Sequence, residues 1–228
     1  MKIIFAGGLG SGNFGHEGRP GEVGGSSESW FRVNSFLDGF GEATQKEKEL
    51  WLELENEFNP LSGDAQFVRL TLSGRTEYNR IQEYLRGKVP ASNFPLVVKQ
   101  KLDEIVHRMS RIFSEHSLPK DTYLYRGTNF EFEVGNKFVD KGFIFTTTSQ
   151  DLAMFHVGRR TREKNGLFRI RAPKGTPYAI GDSLEWEVLF KPGTKFEIKT
   201  KSQPIKMQHP DGIARSVILY DVEVLNEN

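Results

Sequence analysis

A chain of 228 residues with 37% hydrophobic and 12% aromatic content, 18 of them Phe, can bury a sizeable core in one large domain or a compact domain with an appendage. Its 31 Lys+Arg against 30 Asp+Glu leave a formal net charge of +1, so no global electrostatic pull toward nucleic acid or a membrane surface is expected. The absence of cysteine excludes a disulfide framework, a thiolate metal site and a thiol nucleophile.

The first elements in chain order are a short apolar run, Ile3–Ala6, and a glycine-rich stretch. The run is too short for a signal-peptide core or a membrane span, which points to a chain that works in a cytoplasm. Nine of the 23 glycines lie between Gly7 and Gly25, interleaved with Ser, Asn, His and Pro20. Such a segment buries too little apolar surface to offset its ordering entropy, so residues 1–40 read as a flexible arm. Gly10-Ser11-Gly12-Asn13-Phe14-Gly15 is literally G-x-G-x-x-G. A dinucleotide fold needs a helix directly after the third glycine, to bind the pyrophosphate at its N-terminus. Gly18-Arg19-Pro20-Gly21 cannot be that helix.

From residue 41 the pattern is helical. Thr44 and Glu47 form a capping box, followed by Trp51, Leu54 and Phe58 at helical spacing. A second helix begins near Thr76, carries Tyr78, Ile81 and Leu85 on one face, and stops at Gly87 and Pro90. A third runs from about Pro95 to His116, with Val98, Leu102, Ile105, Met109 and Ile112 as a stripe that reads as core packing.

After Pro119 the period changes to two. Thr122–Arg126, Gly142–Thr147, Leu167–Arg171, Glu185–Phe190, Lys195–Lys199 and Ser216–Val224 read as strands separated by turn residues, interrupted by one short helix around Leu152–Gly158. Helices first and strands after indicate an α+β domain, helical over 41–118 and β-rich over 119–228.

Within Glu185–Phe190, strict alternation puts Glu185, Glu187 and Leu189 on one face and Trp186, Val188 and Phe190 on the other. Arg126 stands at one strand end, and Thr147-Thr148-Ser149 at another. A cation, a hydroxyl cluster and a carboxylate pair, each on its own strand, suit a charged, phosphate-bearing substrate. Taken singly, each has a plainer reading: a surface arginine, strand-end hydroxyls, the solvated face of an edge strand. The histidines (His16, His107, His116, His156, His209) have no metal-ligand spacing, and no nucleophile elbow is present.

The combination resembles a family. Tyr123-Leu124-Tyr125-Arg126-Gly127, then Phe145-Thr146-Thr147-Thr148-Ser149, then Glu185-Trp186-Glu187-Val188-Leu189 are similar to the R–S–E signature of mono-ADP-ribosyltransferases, in particular the arginine-modifying E-x-E class of bacterial toxins and phage enzymes. Lys191-Pro192-Gly193-Thr194-Lys195-Phe196 resembles the turn and strand that follow that glutamate pair. Leu72-Ser73-Gly74 through Tyr78, Ile81, Gln82 and Tyr84-Leu85-Arg86-Gly87 resembles the family's N-terminal helix motif. The resemblance covers about residues 65–225; the family's S-T-S reads Thr-Thr-Ser here, and Gln82 stands where Asn is usual.

The resemblance implies helices packed on a mixed, two-sheet β core, and transfer of ADP-ribose from NAD to protein arginines with release of nicotinamide. Glycosidic cleavage passes through an oxocarbenium-like centre that carboxylates stabilise. By the resemblance, Glu187 would hold the ribose 2′-OH and stabilise the cation. Glu185 would orient and deprotonate the incoming guanidinium, whose high pKa makes a neighbouring carboxylate necessary. Arg126, with Gly127 beside it, would meet the NAD phosphates. Thr147 and Ser149 would orient Glu187 and the ribose, Tyr78 and Gln82 would line the adenosine side, and Phe155 and Arg159 would pack on nicotinamide and phosphate. The turn Ala179–Leu184 would recognise the acceptor, with Ser183 next to it. The expected partners are NAD and an arginine-bearing protein, with a monomeric chain, no metal, no membrane and no nucleic acid.

A second resemblance links Gly12-Asn13-Phe14-Gly15-His16, Gly18-Arg19-Pro20-Gly21 and Gly24-Gly25-Ser26 to a segment of tailed-phage head and portal-associated proteins, which would suit a phage-encoded enzyme acting on host proteins; a generic linker has the same composition. Two functions of other classes compete with transfer: NAD hydrolysis with water as acceptor, and a degenerate fold serving as a virion or binding module.

Overall fold

The computed structural model describes residues 41–73, 75–154, 156–157, 165–181, 186–209 and 213–225, with the side chains of 41–44, 73 and 75–77 left aside. The glycine-rich arm lies outside these residues, as do Phe155, Arg159, Ser183 and Glu185.

Four long helices come first: α1 (Gly41–Phe58), α2 (Gly63–Ser73), α3 (Arg75–Arg86) and α4 (Leu96–Glu115). In α4, Leu102, Ile105, Met109, Ile112 and Phe113 are buried, and Pro95 and His116 flank the helix as the spacing predicts. Helix α1 starts three residues before Thr44, so Thr44 lies inside the helix and not at its N-cap position. Its presumed box partner, Glu47, is committed elsewhere: Oε1 accepts the Gln150 backbone N–H at 3.0 Å. Helix α2 was not expected from the sequence, although Ser62 accepts the Ala65 N–H at 3.0 Å and Asp64 sits in the first turn.

The strands are β1 (Thr122–Thr128), β2 (Lys137–Val139), β3 (Ile144–Thr147), β4 (Gly166–Ala172), β5 (Tyr178–Ile180), β6 (Glu187–Phe190), β7 (Lys195–Lys201), β8 (Ile205–Gln208) and β9 (Ala214–Leu225), with a short helix α5 (Gln150–Met154) after β3. Their order is β2-β7-β9-β4-β1-β3-β6-β5, with β8 paired to β9. The β4–β9 pair is parallel and the others are antiparallel. The ladder between β1 and β3 is the single register Tyr125↔Thr147, against seven residue pairs between β1 and β4. The sheet therefore behaves as two joined at one point, which gives the expected two-sheet core.

One large core fills the space between the sheets and the helical layer. It runs from Trp51, Leu54 and Phe58 of α1 through Leu124, Phe145 and Phe168 to Val188, Leu189 and Phe190. Burying each such side chain contributes about 1.5–3 kcal/mol. A smaller cluster, with Ala153, Met154, Val157, Leu167, Met207 and Val217, seats α5 on the other side of β1. A Cβ at Gly127 would stand 2.8 Å from the Ala153 carbonyl oxygen, so this glycine sets how closely α5 packs on β1.

Candidate active site

The glutamate strand differs from its sequence pattern. It starts at Glu187, because Trp186 has φ +47°, in the left-handed region that a bulky residue rarely adopts. The Thr148 N–H donates to the Trp186 carbonyl at 3.1 Å and holds this turn. The left-handed Trp186 breaks the period of two directly before Glu187; Glu185 lies outside the described residues. All four β6 residues are buried, since β3 and β5 flank the strand and α1 covers it. Ala179 and Ile180, expected in a recognition turn, instead pair with Leu189 and Val188 as part of β5; the turn begins at Gly181.

Both ends of that turn are tied to the helices. Trp51 Nε1 of α1 donates to the Glu187 carbonyl at 3.4 Å, and Arg69 Nε of α2 donates to the Gly181 carbonyl at 3.4 Å. The Gly181 N–H donates to Glu187 O at 3.0 Å, and Tyr178 OH reaches Leu54 O at 3.0 Å. The Glu187 side chain lies over Gly181, where a Cβ would stand 2.0 Å from Oε2. Gly181 falls within the expected recognition turn Ala179–Leu184, but its closeness to the Glu187 carboxylate has no local mark in the sequence.

Tyr125, Thr147 and Glu187 form one transverse row across β1, β3 and β6. Thr147 is fully buried; its Oγ1 accepts the Ser149 N–H at 3.0 Å and closes the hydroxyl turn. Ser149, itself 3% exposed, offers Oγ to the Leu152 N–H at 3.4 Å, which starts α5 directly after the turn, two residues earlier than the sequence suggests. Glu47 lies against the same turn, and burial, with Asp151 nearby, pushes its carboxyl up to about 7 although hydrogen bonds from Gln150 and Ser149 oppose the rise.

Arg126 is inside β1, not at its end, and is 6% exposed. Its Nη1 donates to the Phe145 carbonyl at 2.9 Å, spanning the gap where β1 and β3 have separated. Burial pulls the guanidinium below its ordinary value, and Asp140 pushes it back up. Asp140 makes a two-pronged ion pair with Arg86 of α3, Nε–Oδ1 and Nη2–Oδ2 both at 3.0 Å. Arg126 and Asp140 also border a small pocket with Phe138, Ile144, Phe168, Ile170 and Phe196. Tyr78 packs edge-on against Phe145 with ring centroids 4.9 Å apart. Gln82 Nε2 donates to Tyr78 OH at 3.1 Å and to Phe143 O at 3.0 Å. Tyr78, Gln82, Arg86 and Arg126 thus gather on the leading half of β3, and Thr147, Ser149 and Glu187 on its trailing end.

The sequence matches the ADP-ribosyltransferase exoenzyme family over residues 40–220. The chain belongs to that family. Its members are NAD-dependent mono-ADP-ribosyltransferases of the R–S–E type, with NAD as the substrate that is cleaved. The transferase shares its fold with the Vis toxin of Vibrio splendidus, at 21% identity, 81% of this chain, 85% of that one and a TM-score of 0.58. A second structure of Vis, in complex with agmatine, gives 19% identity, 89% and 87% coverage and a TM-score of 0.57. The ADP-ribosylating toxin BECa of C. perfringens, solved with NADH, gives 17% identity over 81% of the transferase and 48% of the longer toxin, with a TM-score of 0.56. No curated protein matches the transferase by sequence. Among the described residues, no helix is long and apolar enough to cross a membrane, and no group of three His, Asp or Glu could hold a metal ion.

Proposed function

We propose that this transferase moves ADP-ribose from NAD onto arginine side chains of a protein target, with Glu187 as the residue that faces the reacting ribose. The observation that carries the reading is the register pairing of Thr147 with Glu187 inside the family match. Glu187 holds the ribose 2′-OH and stabilises the oxocarbenium-like centre as the bond to nicotinamide breaks. Thr147 and Ser149 orient it. Arg126 and Gly127 meet the NAD phosphates, Tyr78 and Gln82 line the adenosine side, and Phe155 and Arg159 close on nicotinamide and phosphate. Glu185 takes the proton as a guanidinium nitrogen forms the new glycosidic bond. The guanidinium acceptor is supported by Glu185-Trp186-Glu187 and by a relative of the same fold bound to agmatine, itself a guanidine.

The test is incubation with NAD and agmatine, then with arginine-bearing protein, followed by mass spectrometry. An ADP-ribosyl adduct on the guanidine supports the proposal. Free ADP-ribose and nicotinamide without any adduct would favour hydrolysis by water. Glu185→Gln should suppress the adduct while NAD cleavage and NAD affinity persist, because it removes an interaction made with one reactant alone.

A further inference from the structure

We infer that Glu47 is a positioning residue for the transfer reaction: from helix α1 it holds the Thr147–Ser149 turn and, through that turn, the Thr147–Glu187 pair. The inference rests on the reading that Glu187 faces the reacting ribose. Its links are on adjacent atoms. Glu47 Oε1 accepts the Gln150 N–H at 3.0 Å from a position 103 residues away in the chain. The Ser149 side chain lies beside the same carboxyl, and the Ser149 N–H closes onto Thr147 Oγ1 at 3.0 Å. Thr147 is the register partner of Glu187.

The turn needs an outside support. Helix α5 has five residues, too few to offset the cost of its own nucleation, and the Gln150 N–H at its start has no partner within the helix. A carboxylate from another element supplies that partner with a charge-assisted bond. Besides Ser149 and Gln150, the groups facing Glu47 are Asp151 of α5 and Tyr125 of β1, whose phenol is raised first by burial and then by Glu47. Burial pushes the Asp151 carboxyl up as well. With Glu47 brought up to about 7, its grip on the turn changes within the working range of an enzyme. Ionised, it accepts from Gln150 as a full carboxylate; protonated, it loses the charge that strengthens that bond. Turnover therefore rises with pH through neutrality.

Nicotinamide release from NAD, followed between about pH 5.5 and 8.5, tests this with wild type, Glu47→Gln and Glu47→Ala. Glu47→Gln keeps an acceptor oxygen for Gln150 and cannot titrate, so it folds, protects the Gln150 amide from deuterium exchange and loses the inflection near neutrality. Glu47→Ala exposes the Gln150 amide to exchange and lowers kcat about tenfold or more, with KM for NAD little changed. The inference is overturned if Glu47→Gln keeps the wild-type inflection, or if Glu47→Ala keeps both wild-type kcat and a protected Gln150 amide. Gln150 exchange reports on the Glu47 contact directly, whereas failure of the Glu187 reading would appear as full turnover in Glu187→Gln.

Discussion

Thr147 and Glu187 are register partners on antiparallel neighbours β3 and β6, so a hydroxyl and a carboxylate stand side by side with no loop between them. Directly opposed residues hold their Cβ atoms about 4.5–5.5 Å apart. A side-chain contact at that spacing is set by the ladder itself, and the two neighbouring turns then fix its surroundings.

Replacing Glu187 with Gln keeps the shape and removes the charge. Nicotinamide release should fall by about 10²–10³-fold or more, the usual loss for removing a group that stabilises a developing charge. The melting temperature should stay near that of wild type. Retention of more than about half of the turnover would show that another group stabilises the cation.

Gly181→Ala should act on the same carboxylate from the other side. Its Cβ would meet Glu187 Oε2 at 2.0 Å and Leu189 Cδ1 at 2.8 Å, so the carboxylate must move. We expect turnover to drop about tenfold or more, since small displacements of a reacting group are costly. Gly175→Ala is the control: its φ of +86° is strained for alanine, but nothing lies within 4 Å. That variant should lose about 1–2 kcal/mol of stability in urea titration and keep its specific activity.

The Arg86–Asp140 pair is nearly sealed, with side chains 5% and 2% exposed. Asp140→Ala leaves the Arg86 guanidinium buried without its partner and also removes the acceptor for the Gly142 N–H, at 2.9 Å. Unfolding free energy should fall by about 3–5 kcal/mol. Substituting both partners with apolar residues of similar volume should recover a large part of the loss, which a double-mutant cycle measures. Recovery of nothing would mean that the cost lies in the turn at Gly142 and not in the stranded charge.

Stability should also depend on pH through Glu47. Its folded-state pKa of about 7 exceeds the ordinary 4.5, so between those values the folded chain binds more protons than the unfolded chain. Its contribution is then full below about 4.5, declines as pH rises, and is gone above about 7. Melting curves of Glu47→Gln, which has nothing to titrate, should lack this component, and the variant should gain on wild type from pH 5 to 8. A constant difference across that range would place the titration elsewhere.

The sequence alone determined the order of helices before strands, the extent of α4, and the residue types at Arg126, Thr147, Ser149 and Glu187. These rest on local periods of 3.6 and 2 and on motifs a few residues long, information carried by neighbours in the chain. Gly193 was legible in the same way: it takes φ +83° in the turn between β6 and β7, which glycine adopts without strain. Only the tertiary structure decided the rest. Strands β2, β5 and β8 have three, three and four residues, too short for a pattern, and exist because longer partners pair with them. The alternation of Glu185–Phe190 gave way at Trp186, where a hydrogen bond from Thr148 outweighs the local preference for an extended backbone, at a cost of about 1–3 kcal/mol. The capping-box pattern at Thr44 likewise yielded to the contact of Glu47 with Gln150, between residues 103 apart. Contacts at such separations are set by how the helical layer docks on the sheets, and no window of local sequence encodes that docking.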